Sequence, residues 1–438
     1  MSDDTTVPPA APIDLPSRTA ILVAAFDSQL KWAGTIRHAL QAHGFSCQVI
    51  VPNDIRHAIS DTQLADYGGS SVQYLPWAEL VRRSFEVDVV VLSIQGPHVS
   101  RFTHDIFDAV AATGKRPPVT ISGWVGVIIE KITAGYLERY ATDVVAVNSR
   151  TDLRTFQTVA GSLGLPTQNL LLSGLPLLTG GYQEAPTGTP IRTVMFADQP
   201  TVPSAEEDRL YLYEELIAYA RAHPDRSVVL KPRHRIGEDT FHKMKFHPEA
   251  LLRGRTLPAN FSIDYTPISQ RLADLDLMLT VSSTAALEAV GAGVRTAFIA
   301  DLDIREQLGN HIFLDSGLLR TFDQVQRDEI GTPNQSWIDD YFFGTDSGSP
   351  AEQIVVRALE LVEDPQRNPP AAWQTPFFAS QHKLFEFRRD TQSGALAPVI
   401  TGWAARARPV AEWVLPYGVQ LRLQRKLKRG HRSRPAVR

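Results

Sequence analysis

Short apolar runs alternate with amphipathic stretches of helical periodicity along most of this 438-residue chain. Continuous apolar runs of strand length predict strands that are buried on both faces, as in parallel sheets covered by helices. The predicted strands of a first series lie at 19–25, 46–52, 88–93, 118–124, 143–149 and 169–176. Strands that alternate with helices in this way predict a doubly wound α/β domain.

The pattern is interrupted at 179–190, a stretch rich in Gly, Pro and Thr that predicts a linker. A second series follows, with predicted strands at 192–199, 227–231, 277–282 and 294–300 and a long helix near 206–223. The predicted fold class is therefore α/β, with two Rossmann-like doubly wound domains facing a cleft and an irregular or helical basic segment at the C-terminus. The predicted boundaries are a disordered leader at 1–16, a first domain at 17–178, the linker at 179–190, a second domain at 191–365, an extension at 366–420 and a basic tail at 421–438.

Charge is unevenly distributed along the chain. The net charge is −4, yet eight Lys or Arg residues and no acid follow Leu421. The segment Val419–Lys428 also has the pattern of a short amphipathic helix, which favours an anionic membrane surface as a partner over nucleic acid. A disordered tail without a membrane role is the alternative.

Other features of composition point to the compartment. The single cysteine, Cys47, excludes an internal disulfide framework and a cysteine-based zinc site. The N-terminus is acidic and proline-rich, unlike a secretory signal, and no apolar run reaches the length of a membrane span. We expect a cytoplasmic protein, peripheral at the inner face of the membrane if the tail binds lipid.

Two predicted strands of the second series end in polar groups suited to phosphate. Lys231, Arg233 and His234 end or follow the strand at 227–231, and Ser282, Ser283 and Thr284 lie between the next strand and a helix. Because ligands of open parallel sheets bind beyond the carboxyl ends of the strands, both groups are expected in one crevice. They predict a cradle for the phosphate of a nucleotide. Alternatively, the first group is a solvated loop and the second a helix cap.

These motifs carry a family resemblance. Phe196-Ala-Asp-Gln-Pro, Lys231-Pro-Arg-His and Ser282-Ser-Thr-Ala-Ala-Leu-Glu-Ala resemble segments of bacterial polysialyltransferases, Kdo transferases and teichoic-acid polymerases, within the GT-B class of glycosyltransferases. At the level of the fold, the resemblance to the GT-B class covers about 18–360. The chain also resembles an uncharacterised actinobacterial family of proposed glycosyltransferases. In the bacterial enzymes His commonly precedes Pro, whereas here His234 follows Pro232 by two positions. The resemblance implies a nucleotide-sugar donor bound by Gln199, Lys231, Arg233, His234, Ser282, Ser283, Thr284 and Glu288.

A transfer reaction also needs a base for the acceptor hydroxyl, and the resemblance places that base in the first domain. Asp27 follows the first strand and is the first candidate, although it also suits a helix N-cap. His104 is the second candidate, with His98 as a further competitor. Lys31 and Trp32 are candidates for acceptor binding, although Trp32 at helical spacing also suits the core.

We predict no cofactor and no metal. Asp274-Leu-Asp276 lies before its strand, at the amino edge, and Asp301-Leu-Asp303 has no further carboxylates beside it. Lysine, arginine and a helix start can stabilise a leaving phosphate without a metal.

The predicted activity is transfer of a sugar to a glycan or lipid-linked acceptor of the cell envelope. The resemblance favours a CMP-activated acidic sugar, with a UDP- or GDP-sugar as the next choice. A CDP-alditol phosphotransferase of the teichoic type, a nucleotide-sugar 2-epimerase and a non-catalytic scaffold that binds nucleotide or polysaccharide are the alternatives.

Overall fold

The computed structural model describes residues 18–57, 59, 72–178, 181–236, 244–343 and 348–392. The predicted leader at 1–16 and the basic tail at 421–438 lie outside the described residues. Contacts divide the chain into two compact units, Met1–Thr375 and Pro376–Arg438, and both sheets belong to the first unit. None of the helices in the described ranges combines the length and apolarity needed to cross a bilayer.

The first sheet has seven parallel strands in the order β3-β2-β1-β4-β5-β6-β7. The strands are β1 (Arg18–Ala24), β2 (Phe45–Pro52), β3 (Val72–Leu75), β4 (Val89–Ser93), β5 (Val119–Ser122), β6 (Val144–Val147) and β7 (Leu170–Leu172). The helices between them are α1 (Asp27–Ala42), α2 (Trp77–Arg83), α3 (Gly96–Thr113), α4 (Ile132–Leu137) and α5 (Arg150–Leu163).

The second sheet has six parallel strands in the order β10-β9-β8-β11-β12-β13. The strands are β8 (Thr193–Ala197), β9 (Ser227–Lys231), β10 (Phe261–Ile263), β11 (Leu277–Thr280), β12 (Arg295–Ile299) and β13 (Leu319–Arg320). The α-helices of this part are α6 (Glu206–Ala222), α7 (Pro248–Leu251), α8 (Ala285–Gly291), α9 (Phe322–Gln326) and α10 (Gln335–Tyr341).

Both sheets have the doubly wound order, so the predicted α/β class with two Rossmann-like domains is confirmed. The order reverses between β1 and β4 in the first sheet and between β8 and β11 in the second. At such a point the connections leave in opposite directions and open a crevice at the carboxyl edge. The sequence pattern misses β3, β10 and β13, because these short edge strands have no continuous apolar run.

Buried aliphatic side chains fill the space between each sheet and its helices. In the first domain, Leu22 of β1 and Val91 of β4 share a core with Ile36 and Leu40 of α1. Because α1 places Ile36 and Leu40 four residues apart, they lie on one face of the helix, and that face covers the sheet.

Helix α11 (Pro350–Glu363) returns to the first domain, although the sequence assigns 191–365 to the second. Its buried residues Ile354 and Val355 belong to the core of the first sheet. Its N-terminal turn pairs with that domain through Glu352 and His43 Nε2, 2.6 Å apart, and its C-terminal end through Glu363 and Arg18, 2.5 Å apart. The predicted boundary is corrected here, because an apolar helical face does not reveal which sheet it covers. A separate helix, α12 (Pro376–Gln392), forms the described part of the second unit.

The position of α11 predicts that Ile354→Ala destabilises the first domain by about 2–5 kcal/mol, because it opens a cavity in that core. Val356 lies on the same helix but is 41% exposed, so Val356→Ala should change the free energy of unfolding by no more than about 0.5 kcal/mol. Urea unfolding followed by tryptophan fluorescence measures both. Equal effects of the two variants would contradict the packing of α11.

Candidate functional site

The carboxyl ends of β8 and β11 are joined by hydrogen bonds at the point where the second sheet reverses. Gln199, just beyond β8, accepts a hydrogen bond at Oε1 from the backbone N–H of Ser282, at 2.9 Å. Its Nε2 donates to Ser282 Oγ at 3.2 Å. Ser282 is buried and its hydroxyl also donates to the carbonyl of Leu308 at 2.5 Å. Gln199 and Ser282 therefore link the segments that follow β8 and β11, and their predicted contact with a donor remains a prediction.

Ser283 and Thr284 are the half-buried members of the same predicted group. Ser283 Oγ accepts a hydrogen bond from the N–H of Ala285 at 3.3 Å, a local cap of α8. Thr284 is the N-cap residue, but its side chain makes no capping hydrogen bond. The segment around Gly126, in the first domain, lies close to Thr284, because a Cβ added at Gly126 would lie 3.0 Å from Thr284 Cγ2. The start of α8 thus lies between the two domains.

The end of β9 brings positive charge to the same crevice. Lys231 is buried, and its Nζ donates to the carbonyl of Pro232 at 3.4 Å. Burial lowers the pKa of Lys231, Asp264 opposes this, and the charges of Arg233 and of Lys31 in the first domain lower it further. The charges of Arg233 and Lys31 therefore both act on Lys231, and that of Lys31 acts from the first domain. Such a group attracts an anionic ligand.

His234 has one ring nitrogen paired and one unpaired. Its Nδ1 lies 3.0 Å from the carbonyl of Arg235, so Nδ1 carries the proton and donates it. The side chain is only 8% exposed, and its Nε2 has no hydrogen-bond partner among the described residues. A buried ring nitrogen without a partner is unfavourable, which makes Nε2 a candidate for contact with a ligand.

In the first domain, Asp27 begins α1 and faces the basic group. The N-cap residue is Phe26, so Asp27 is the first helical residue and not the cap. Its Oδ2 lies 3.9 Å from Nη2 of Arg233. The predicted base and a predicted phosphate-binding cation therefore meet across the cleft.

A second pair crosses the cleft one helical turn further along α1. Lys31 Nζ lies 3.2 Å from a carboxylate oxygen of Glu288, which is in the first turn of α8. Helix α1 thus presents a negative and then a positive side chain, Asp27 and Lys31. The second domain presents a side chain of opposite charge to each of them, Arg233 and Glu288. All four residues are predicted site residues, and the structure brings them together in pairs.

Two predicted site residues lie elsewhere. Trp32 is buried in the core of the first domain, where a Cβ added at Gly123 would lie 2.9 Å from its ring, so it does not face an acceptor. The predicted role of Trp32 in acceptor binding is therefore corrected. Lys31 faces the cleft, whereas the next residue of α1, Trp32, faces the sheet. His104 is buried on α3, eight residues after Gly96, or about 12 Å along the helix from the carboxyl edge. Asp27 is therefore much better placed as a base.

One acid of each pair weighed as metal ligands has structural partners. Asp276 Oδ2 accepts hydrogen bonds from the backbone N–H groups of Arg192 and Thr193, at 2.8 and 2.9 Å. Asp301 accepts from the hydroxyl of Tyr211 and from the backbone N–H of Phe322, each at 2.9 Å. These bonds hold strands and helices in place. Metal independence remains a prediction.

Sequence reasoning missed the groups beneath the crevice. Asp198 follows β8, and its carboxylate contacts Arg209 and Tyr213 of α6. A signal was available, since Arg209 lies three residues before Leu212 and seven before Leu216, on the apolar face of its helix. A charged residue on a buried face is rarely tolerated without a partner.

Comparison with known proteins places these observations in a family. A family model described as "Putative glycosyltransferase (DUF6716)" matches residues 20–361. No curated protein matches the sequence.

Solved structures of low sequence identity have a similar arrangement. A "putative UDP-N-acetylglucosamine 2-epimerase" from Listeria monocytogenes is 13% identical, with a TM-score of 0.49, covering 81% of this chain and 99% of that one. The UDP-GlcNAc 2-epimerase of Methanocaldococcus jannaschii, in complex with UDP-GlcNAc and UDP, is 12% identical, with a TM-score of 0.47 and coverage of 78% and 99%. The lipopolysaccharide outer core galactosyltransferase WaaB is 11% identical, with a TM-score of 0.46 and coverage of 78% and 99%.

Proposed function

The chain belongs to this glycosyltransferase family, and from that premise we propose that it moves a sugar from a nucleotide-sugar donor to a glycan or lipid-linked acceptor of the cell envelope. The observation that carries the proposal is the approach of Asp27 to Arg233 across the cleft, at 3.9 Å. Glycosyl transfer needs a base beside the acceptor hydroxyl and positive charge beside the leaving phosphate. These two groups supply both from opposite domains.

In the proposed reaction, Asp27 accepts the proton of the acceptor hydroxyl while the hydroxyl oxygen bonds to the anomeric carbon of the sugar. The bond between that carbon and the phosphate oxygen breaks, and the electron pair leaves with the phosphate. Lys231 and Arg233 stabilise the negative charge that develops there. Before a donor binds, the carboxylate of Asp27 balances part of the charge of Arg233; the donor phosphate would take over that role.

The remaining predicted residues fit the sugar and the acceptor. Glu288 has carboxylate oxygens that can accept hydrogen bonds from sugar hydroxyls, and Lys31 can meet an anionic acceptor. His234 Nε2 can accept a hydrogen bond from a hydroxyl of the ligand. Ser283 and Thr284, at the start of α8, complete the proposed donor contacts.

The finer proposal for the donor is a CMP-activated acidic sugar, as the resemblance implies. Charge does not separate it from a UDP-sugar, because a monophosphate with a carboxylate and a diphosphate both bring two negative charges. Nucleotide preference does separate them. We therefore test CMP, CDP, UDP and GDP side by side.

We expect at least one of these nucleotides to raise the thermal unfolding temperature. Lys231→Ala and Arg233→Ala should each weaken its binding about tenfold or more, because a charge-assisted contact to phosphate contributes roughly 1.5–3 kcal/mol. Isothermal titration calorimetry measures the affinities. Arg327→Ala is a matched control, because this exposed arginine of the same domain pairs with Asp323 and Glu329, away from the cleft.

The nucleotide that binds selects among the alternatives. CMP alone supports the acidic-sugar donor, CDP alone supports an alditol phosphotransferase, and UDP supports a UDP-sugar transferase or a 2-epimerase. No response to any nucleotide, or wild-type affinity in both cleft variants, would contradict the proposed donor site.

Asp27→Asn should leave nucleotide affinity within a few-fold of wild type and reduce transfer by roughly 10²-fold or more, because the amide cannot accept the proton. Transfer is measured with a sugar donor that carries the nucleotide identified by the binding measurements. His104→Ala is the comparison, and it should retain transfer if the variant folds. Loss of activity in His104→Ala with normal turnover in Asp27→Asn would move the base to His104.

We also propose that the basic tail attracts the enzyme to an anionic membrane surface that carries its acceptor. Deleting residues after Tyr417 should lower co-sedimentation with vesicles containing anionic lipid, most clearly at low salt, because each basic residue near such a surface contributes about 1 kcal/mol. Nucleotide binding should be unchanged. Equal vesicle binding with and without the tail would remove the membrane role.

A further inference from the structure

An ion pair is buried directly beneath the proposed donor site. Arg209 Nη1 lies 3.0 Å from Asp198 Oδ1, and each side chain is only 1% exposed. The hydroxyl of Tyr213 donates to Asp198 Oδ2 at 2.6 Å. Burial raises the pKa of Asp198, while the charge of Arg209 opposes that rise. A buried ion pair is expensive to desolvate, and apolar side chains of similar size often stabilise a fold as well or better. Stability alone therefore does not explain it.

The second end of the guanidinium makes a different contact. Arg209 Nη2 donates to the backbone carbonyl of Gln199 at 2.5 Å, and the N–H of Gln199 donates to Asp198 Oδ1 at 2.9 Å. The backbone of Gln199 is thus held on both sides by the ion pair. Its side chain in turn holds the backbone N–H and hydroxyl of Ser282. A continuous series of hydrogen bonds connects Arg209 to the start of the Ser282–Thr284 segment.

We infer that Arg209 is a positioning residue of the donor site: by fixing Gln199, it holds the segments that follow β8 and β11 in the arrangement that binds the nucleotide. This inference rests on the proposed function, since it assigns Arg209 to the same crevice. The planar fork of arginine is needed because it bonds two groups at once, the carboxylate of Asp198 and the carbonyl of Gln199. Lysine would neutralise the carboxylate but would not span both.

A second buried ion pair provides a matched control. Arg367 Nη1 lies 2.7 Å from Asp143 Oδ1, with the side chains 6% and 5% exposed. Asp143 precedes β6 and accepts a hydrogen bond from the backbone N–H of Thr120 at 2.8 Å. It therefore lies at the amino edge of the first sheet, away from the crevice. The two pairs share chemistry and burial and differ in position.

The test compares Arg209→Lys with Arg367→Lys in the full chain. Both variants should unfold at somewhat lower temperatures than wild type. Arg209→Lys should weaken binding of the preferred nucleotide by roughly five- to tenfold, the equivalent of one hydrogen bond, and Arg367→Lys should leave it unchanged. Amide hydrogen exchange, measured without ligand, should accelerate around Gln199 and Ser282 in Arg209→Lys alone.

If Arg209→Lys does not fold, the neutral pair Asp198→Asn with Arg209→Gln takes its place, and the same losses are expected. Wild-type nucleotide affinity in a folded Arg209 variant would overturn the inference and leave the proposed function standing. If wild-type protein binds none of the nucleotides, the proposed function fails. The exchange measurement then decides whether Arg209 positions these strand ends, and unchanged exchange around Ser282 would overturn the inference.

Discussion

Both sheets are parallel and carry helices on both faces, so the strand interiors have no room for polar side chains without partners. Leu22, Val91 and Leu279, for example, are completely buried in the middle of their strands. The charged side chains of the strands consequently lie at strand ends, where the chain enters or leaves the sheet. Since all strands of a parallel sheet end at the same edge, the charged and polar residues that follow the strands of each domain collect along that edge. The cleft chemistry follows from it.

Two ion pairs connect the domains on the cleft side. Asp27 with Arg233 and Lys31 with Glu288 are pairs of opposite orientation, so they favour one alignment of α1 against the second domain. Each pair is partly exposed to solvent, and such pairs contribute little to stability. The pairs place both signs of charge beside one crevice. An anionic ligand that binds there can replace a carboxylate as the partner of a cation, at a small cost in free energy. On the other side, α11 ties the chain back to the first sheet by apolar packing, which is far less sensitive to charge.

The buried pair of Asp198 and Arg209 links fold and site. At this position under the second sheet, directional bonds take the place that apolar side chains have elsewhere in the core. These bonds fix the backbone at Gln199. A core of aliphatic side chains would fill that volume but would leave the carbonyl of Gln199 without a partner. The same directional bonds give the loop at Ser282 a defined position, which a ligand site needs more than the fold does.

The sequence by itself determined the fold class and most strands, because strands buried on both faces must be continuously apolar and their helices must have one apolar face. It also singled out Lys231, Arg233, Ser283, Glu288, Asp27 and Lys31 as candidates, because residues at strand ends and helix starts are visible in the local pattern. Only the tertiary structure decided which of these meet, since the pairs join residues about two hundred or more positions apart. It also assigned Trp32 to the core, α11 to the first domain and Arg209 to the region beneath the proposed donor site. Local periodicity shows that a helical face is buried, but the identity of the surface that buries it is set by packing between distant segments.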